Sequence, residues 1–196
     1  HEHLEYYSLS TLTTLLNRHA LNVVDVTENT VNGGSLRVFV RHANVRPTPD
    51  ALARITAQFA AEDTLGLDTI APYRAFWWRA QENKRLVRSA IRAMHAAGKT
   101  IDVYGASTKG NTLLQFYELD HRWIRRAIER SPEKVGLETV GTAIPIVSEE
   151  TGRADPAALW LCLPWHFRTG ILQREQAYLD GGGRILFPLP HAEIVG

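Results

Sequence analysis

Cysteine is nearly absent: Cys162 is the only one among 196 residues. One thiol cannot close an internal disulfide or build a cysteine-based zinc site. Long apolar runs are missing too, and nothing approaches the about 20 residues that a membrane-spanning helix requires. Nor is there an excess of charge of one sign. The 22 Lys and Arg against 21 Asp and Glu leave +1 at pH 7, and because a nucleic-acid surface needs a basic excess or a basic stripe, that partner is disfavoured. The chain opens at His1 without a methionine, and the expectation is a piece of a longer or processed polypeptide. No signal-peptide pattern precedes the fold, so a cytoplasmic location with neither membrane nor nucleic-acid partner is expected. Lysine is scarce, four against 18 arginines, which makes each lysine worth inspection. What is present is ordinary globular composition, 44% hydrophobic and 22% charged. The length suits one domain, or one domain and part of another.

The pattern along the chain begins with a helix over residues 8–20, where Ser8 or Ser10 can cap and leucines recur on one face. A strand around Val23–Val26 and a second at 35–40 flank Val31-Asn32-Gly33-Gly34, so the pair reads as an antiparallel ribbon. Pro47 and Pro49 mark a boundary near residue 45. Helices are expected from Asp50 to about Ala61 and from Pro72 to about Ala97, with Gly98 as the stop. Strand and helix then alternate. Strands are expected at 100–104, 123–128, 144–147, 158–163 and 184–188, and helices at 111–119 and 167–179. That alternation predicts an α/β fold with a mostly parallel, doubly wound sheet.

Three places carry chemistry. In Val103-Tyr104-Gly105-Ala106-Ser107-Thr108-Lys109-Gly110-Asn111 a strand ends, a small-residue loop follows and a helix starts. Amides and dipole at such a start favour an anion, and Ser107, Thr108, Lys109 and Asn111 add donors. The string is neither a Walker A loop nor GxGxxG, and a plain capped turn is the competing reading. At the end of the apolar run 158–163 stands Pro164-Trp165-His166. Ligands of open α/β sheets sit at the carboxyl ends of strands, so His166 shares an edge with Lys109 or else simply caps a helix. Glu129 follows Gly105 by 24 residues. It can take a ribose hydroxyl as in dinucleotide folds, or form a solvated pair with Arg130. At the start, His1-Glu2-His3 cannot be a zincin motif, because two His two residues apart do not share a helix face. A histidine there can act as a base near neutrality, with Glu2 to orient it, or be a frayed end.

Taken together, HEHLEYYSL, VNGGSLRVFV, YGASTKGNTLLQ, ERSPEKVG, GTAIPIVS and LPWHF resemble, in the same order, the C-terminal half of nucleotide-sugar C-methyltransferases. These S-adenosylmethionine-dependent enzymes methylate a ring carbon of deoxysugars, often in antibiotic biosynthesis. The resemblance implies a Rossmann-like sheet with helices on both faces at residues 45–196, the C-terminal domain. Residues 1–44 are then a helix and strand pair left over from the end of an upstream adenosylmethionine-binding domain. The family's zinc belongs to its N-terminal domain and none is expected here. The family's catalytic base falls on His3, with Glu2 as its acidic neighbour. The C-terminal domain helps bind the dTDP-sugar, a role that suits Ser107, Thr108 and Lys109. A chain of these residues alone, without the upstream domains as partners, is expected to be inactive. Two other functions share the fold class: a non-catalytic nucleotide-binding or scaffolding module, and a nicotinamide-dependent oxidoreductase domain, which the missing GxGxxG disfavours.

Overall fold

A computed structural model describes residues 5–31 and 34–196. The expected base His3 and its neighbour Glu2 lie outside those residues, as do Asn32 and Gly33 of the ribbon turn. Contacts divide the chain into two compact units, ending and beginning at Trp78 and Arg79.

In the first unit, helix α1 (Leu9–Asn17) starts at Ser8, whose side chain accepts the N–H of Thr11. Strands β1 (Leu21–Asn29) and β2 (Ser35–His42) pair antiparallel from Leu21↔His42 to Asn29↔Ser35, with an irregularity between Val23 and Asp25. Helix α2 (Pro49–Leu65) begins at Thr48 with proline in its first turn, where a missing N–H costs nothing. Its Ile55 packs with Leu9, Val23 and Val26. The buried Glu62 of α2 accepts the N–H groups of Leu9 and Ser10, so one helix caps the other. The compact unit therefore runs past the proline-marked point at residue 45.

The second unit holds a six-stranded sheet. Its strands are β3 (Ile101–Tyr104), β4 (Arg126–Glu129), β5 (Ile146–Ser148), β6 (Leu159–Cys162), β7 (Arg184–Phe187) and β8 (Glu193–Val195). They lie in the order β5-β4-β3-β6-β7-β8. All pairings are parallel except β7 with β8. From β3 the chain winds outward through β4 and β5, then returns to lay β6 on the other side of β3. The strand order reverses at that point, and the expected doubly wound α/β sheet is observed.

Side chains alternate between two apolar layers, as strand geometry requires. Ile101, Val103, Leu159 and Leu161 face one cluster, to which helix α3 (Ala71–Ala96) brings Val87 and Ile91 and helix α4 (Thr108–Tyr117) brings Leu114 and Tyr117. Tyr104, Trp160 and Phe187 face the other. There helix α6 (Arg168–Arg174) supplies Ile171, and helix α7 (Gln176–Asp180) supplies Tyr178, stacked on Trp160 at 3.6 Å. The charge inside β3 is compensated: fully buried Asp102 accepts Arg125 at 2.9 Å and Arg126 at 3.1 Å.

Several boundaries differ from the sequence reading. Helix α4 starts at Thr108, not Asn111, because the Ser107 hydroxyl caps it. Lys109 therefore lies in a helical turn and not in the loop. The single helix expected at 167–179 is a 3-10 turn (Trp165–Phe167) followed by α6 and α7, broken at Glu175. Trp123 belongs to a turn before β4, and the edge strand β8 and the short helix α5 (Glu149–Ala154) were not anticipated. Among the described residues no helix is long and apolar enough to cross a membrane.

Candidate functional site

The reversal of strand order opens a crevice at the carboxyl edge of the sheet, the place where ligands of open α/β folds bind. It encloses about 500 Å³ between the loops after β3, β4 and β6. Its floor is apolar, from Tyr104, Ile128, Pro164 and Ile171, and Arg130, Lys134 and Arg174 stand around it.

The loop after β3 is shaped by two glycines. Gly105 has φ +86°, and a Cβ there would stand 3.0 Å from Pro164 Cδ. Gly110 lets the first turn of α4 close onto β6, since its Cβ would meet Leu163 Cδ1 at 2.5 Å. Four residues separate the two, as between the first and third glycines of the dinucleotide fingerprint. Those glycines make the tight turn and the close helix–strand packing. The middle glycine of that fingerprint lets a pyrophosphate approach the backbone. Here Ser107 stands in its position, and its hydroxyl accepts the Gly110 N–H at 3.0 Å.

Glu129, at the end of β4, lines the crevice. It does not form the solvated pair with the Arg130 side chain. Its carboxylate accepts the backbone N–H of Ala106 at 2.8 Å, of Arg130 at 2.8 Å and of Ser131 at 3.1 Å. Lys134 Nζ lies 3.5 Å away and donates to the Ala106 carbonyl at 3.0 Å. Burial alone would raise the Glu129 pKa. The three amides and the Lys134 charge overcome it and hold the carboxyl below the usual carboxylate range. One side chain thus ties together the loops after β3 and β4.

Of the other expected site residues, Ser107 lines the crevice. Thr108 and Lys109 are exposed on the first turn of α4. His166 sits in the 3-10 turn after β6, its ring 4.3 Å from that of Phe167. Partial burial, and then the charge of Lys109, push its imidazole below the ordinary histidine value. The structure thus brings His166 and Lys109 within electrostatic reach, as the shared edge implied, but outside the crevice wall. Asn111 keeps its side-chain oxygen buried, with no hydrogen-bond partner among the described residues. Lys134 and Arg174 were missed. Lys134 carried two signals, lysine scarcity and its place in the ERSPEKVG string, whereas Arg174 is one arginine among 18.

Comparison with known proteins bears on this site. Residues 30–190 match the C-methyltransferase C-terminal domain family. The protein named C-methyltransferase NovU, from Streptomyces niveus, is 35% identical over 199 residues, a match that takes in all of this chain and 46% of NovU. The chain thus spans just under half the length of this relative.

Proposed function

The chain belongs to the C-methyltransferase C-terminal domain family, and on that footing we propose that it is the nucleotide-sugar-binding part of an S-adenosylmethionine-dependent sugar C-methyltransferase. The observation that carries this reading is the crevice at the strand-order reversal, lined by apolar Tyr104, Ile128, Pro164 and Ile171 and by Arg130, Lys134 and Arg174 beside the acids Glu129 and Glu149. A nucleoside diphosphate has that division: a flat base for the apolar walls and two phosphates for the cations. The substrate we assign is a dTDP-4-keto-deoxysugar. Residues 1–44 would close the upstream adenosylmethionine domain, and 45–196 would form the C-terminal domain.

The carbon beside a ketone is acidic, so methylating it needs a base within reach of its proton. We assign that role to His3, with Glu2 orienting the imidazole. His3 takes the proton, and the enolate left behind makes that carbon the nucleophile. S-adenosylmethionine supplies an electrophilic methyl group. We assign its binding to the upstream domain, because the crevice of this chain does not suit it: Glu129, the acid that would take its ribose, spends its carboxylate on three backbone N–H groups. The crevice residues hold the diphosphate and so orient the sugar bound to it. That orientation is where binding energy becomes rate.

In the longer enzyme that contains this chain, His3→Ala should abolish methyl transfer while dTDP-sugar affinity changes little. Near-normal turnover would sink the base assignment. Lys109 stands outside the crevice lining, so it acts on a bound diphosphate only through long-range charge: in this chain, Lys109→Ala should lower dTDP affinity by less than roughly tenfold and leave thymidine unchanged. Calorimetric titration at fixed salt measures both. Equal loss for the two ligands would mean that Lys109 supports the helix start and does not act on phosphate.

A further inference from the structure

Arg174 reaches the crevice from the last residue of α6. Its guanidinium is gripped on two sides: Nε donates to Glu175 Oε1 at 2.9 Å, and Nη2 donates to Glu149 Oε1 at 2.7 Å. Its Cζ lies 5.3 Å from the centre of the Tyr104 ring. The two acids differ in kind. Glu149 lines the crevice with a side chain 26% exposed, whereas that of Glu175 is 0% exposed.

Glu175 is itself fixed. Its Oε1 also accepts the Tyr104 hydroxyl at 2.7 Å and Arg153 Nη2 at 2.6 Å. Its Oε2 is buried with no hydrogen-bond partner among the described residues. A carboxylate buried with one bare oxygen is a costly arrangement, and apolar packing of the same volume is as stable or more so. Its burial is therefore not explained by stability. Its Oε1 holds Arg174 together with Arg153 and the Tyr104 hydroxyl, and of these three donors Arg174 and Tyr104 line the crevice.

The loop after β3 gives the complementary argument. Loop amides are the common seat for a pyrophosphate in this fold, but Ser107 occupies the position where glycine permits that approach. An anion entering the crevice is displaced toward its cationic side chains. Arg130 and Arg174 both have the planar fork that pairs with two phosphate oxygens at once, and of the two Arg174 is the one held in place by carboxylates, Glu175 and Glu149.

We propose that Arg174 is the diphosphate-contacting residue of the crevice, that Glu175 is the positioning residue beneath it, and that Glu149 is the carboxylate an incoming phosphate displaces. This rests on the reading of the crevice as a nucleotide-sugar site. The two acids that touch one guanidinium then have opposite effects on binding, which a purely structural role does not produce.

The test titrates dTDP and thymidine calorimetrically into the unmodified chain and into Arg174→Gln, Glu175→Gln, Glu149→Gln and the double variant Arg174→Gln/Glu175→Gln. Arg174→Gln should lower dTDP affinity at least roughly tenfold and leave thymidine unchanged. Glu175→Gln should act in the same direction, with the double variant no worse than Arg174→Gln alone, because the two act as one unit. Glu149→Gln should raise dTDP affinity several-fold. Unchanged dTDP binding in Arg174→Gln, additive losses in the double variant, or weaker binding in Glu149→Gln would each overturn the assignment. If Glu175→Gln does not fold, the Arg174 and Glu149 variants still decide it, since both side chains are partly exposed. Binding of dTDP by none of the forms would overturn the nucleotide-sugar reading and this proposal with it. Normal dTDP binding by Arg174→Gln overturns this proposal only.

Discussion

Glu129 ends its strand where a dinucleotide fold keeps an acid for ribose, yet three backbone N–H groups already converge on its carboxylate. Those bonds favour the charged form and outweigh the burial that opposes it, so the folded pKa lies below the ordinary value of about 4.3. For a depressed carboxyl, the stabilisation is complete above the unfolded pKa and is lost as pH falls through the folded one. Glu129→Gln should therefore be less stable than the unmodified chain by about 1–2 kcal/mol at pH 7. The gap should close below roughly pH 4. Urea unfolding at pH 7 and pH 3 measures it, and a gap that stays constant would mean the charge is irrelevant. At this scale the sequence was legible in part. An acid 24 residues after Gly105 could be picked out by spacing. That its partners would be main-chain amides of its own and the neighbouring loop could not, because backbone N–H groups leave no mark in a sequence. The same limit hid Arg174, whose role depends on acids 25 residues before it and one residue after it.

The β3–α4 connection sets the crevice wall, and its two glycines serve different ends. Gly105 accommodates a left-handed backbone, while Gly110 accommodates a neighbour. A Cβ at Gly110 would meet Leu163 Cδ1 at 2.5 Å, Leu163 Cβ at 3.0 Å and the Ser107 hydroxyl at 3.1 Å. Leu163 is 3% exposed and has little room to yield. Gly110→Ala should thus destabilise by about 1–3 kcal/mol, the usual cost of overpacking. Adding Leu163→Ala removes the worst clash, so the double variant should lose less than the sum of the two single losses. Thermal or denaturant melts of the four forms close the cycle, and strict additivity would show that the two do not meet. Strands of this unit were read correctly in number and direction as far as β7, because buried parallel strands are continuous apolar runs. Helix starts were read less well. Ser107 looked like part of a ligand loop, yet its hydroxyl begins the helix three residues before the expected Asn111. The break at Glu175 was invisible, since a lone glutamate in a helical stretch ordinarily faces water and this one is buried under three donors.

Sheet order does not follow from strand count. The order β5-β4-β3-β6-β7-β8 is the arrangement in which dinucleotides bind across the reversal point, and oxidoreductases share it. Fold alone therefore leaves the ligand open. The residues at the reversal separate the possibilities, because Ser107 stands in the glycine position that a dinucleotide's pyrophosphate needs and Glu129 is committed to amides. Saturating dTDP should slow amide exchange in the three loops that frame the crevice, at residues 105–111, 129–135 and 164–174, because a ligand that binds only the native form suppresses local opening. No described residue of β1 or β2 is among those that line the crevice, and exchange in these two strands should not change. NAD at the same concentration should leave all of these segments as they are in the free chain. Hydrogen–deuterium exchange with mass spectrometry reads every segment in one experiment. Equal protection by NAD and dTDP would mean that the crevice takes nucleotides through features the two share and would return the oxidoreductase reading to contention. Protection by neither would favour the scaffolding module. Protection by dTDP confined to the three loops is the outcome that the proposed nucleotide-sugar site requires, since that proposal seats both the nucleobase and the diphosphate at the one reversal of strand order.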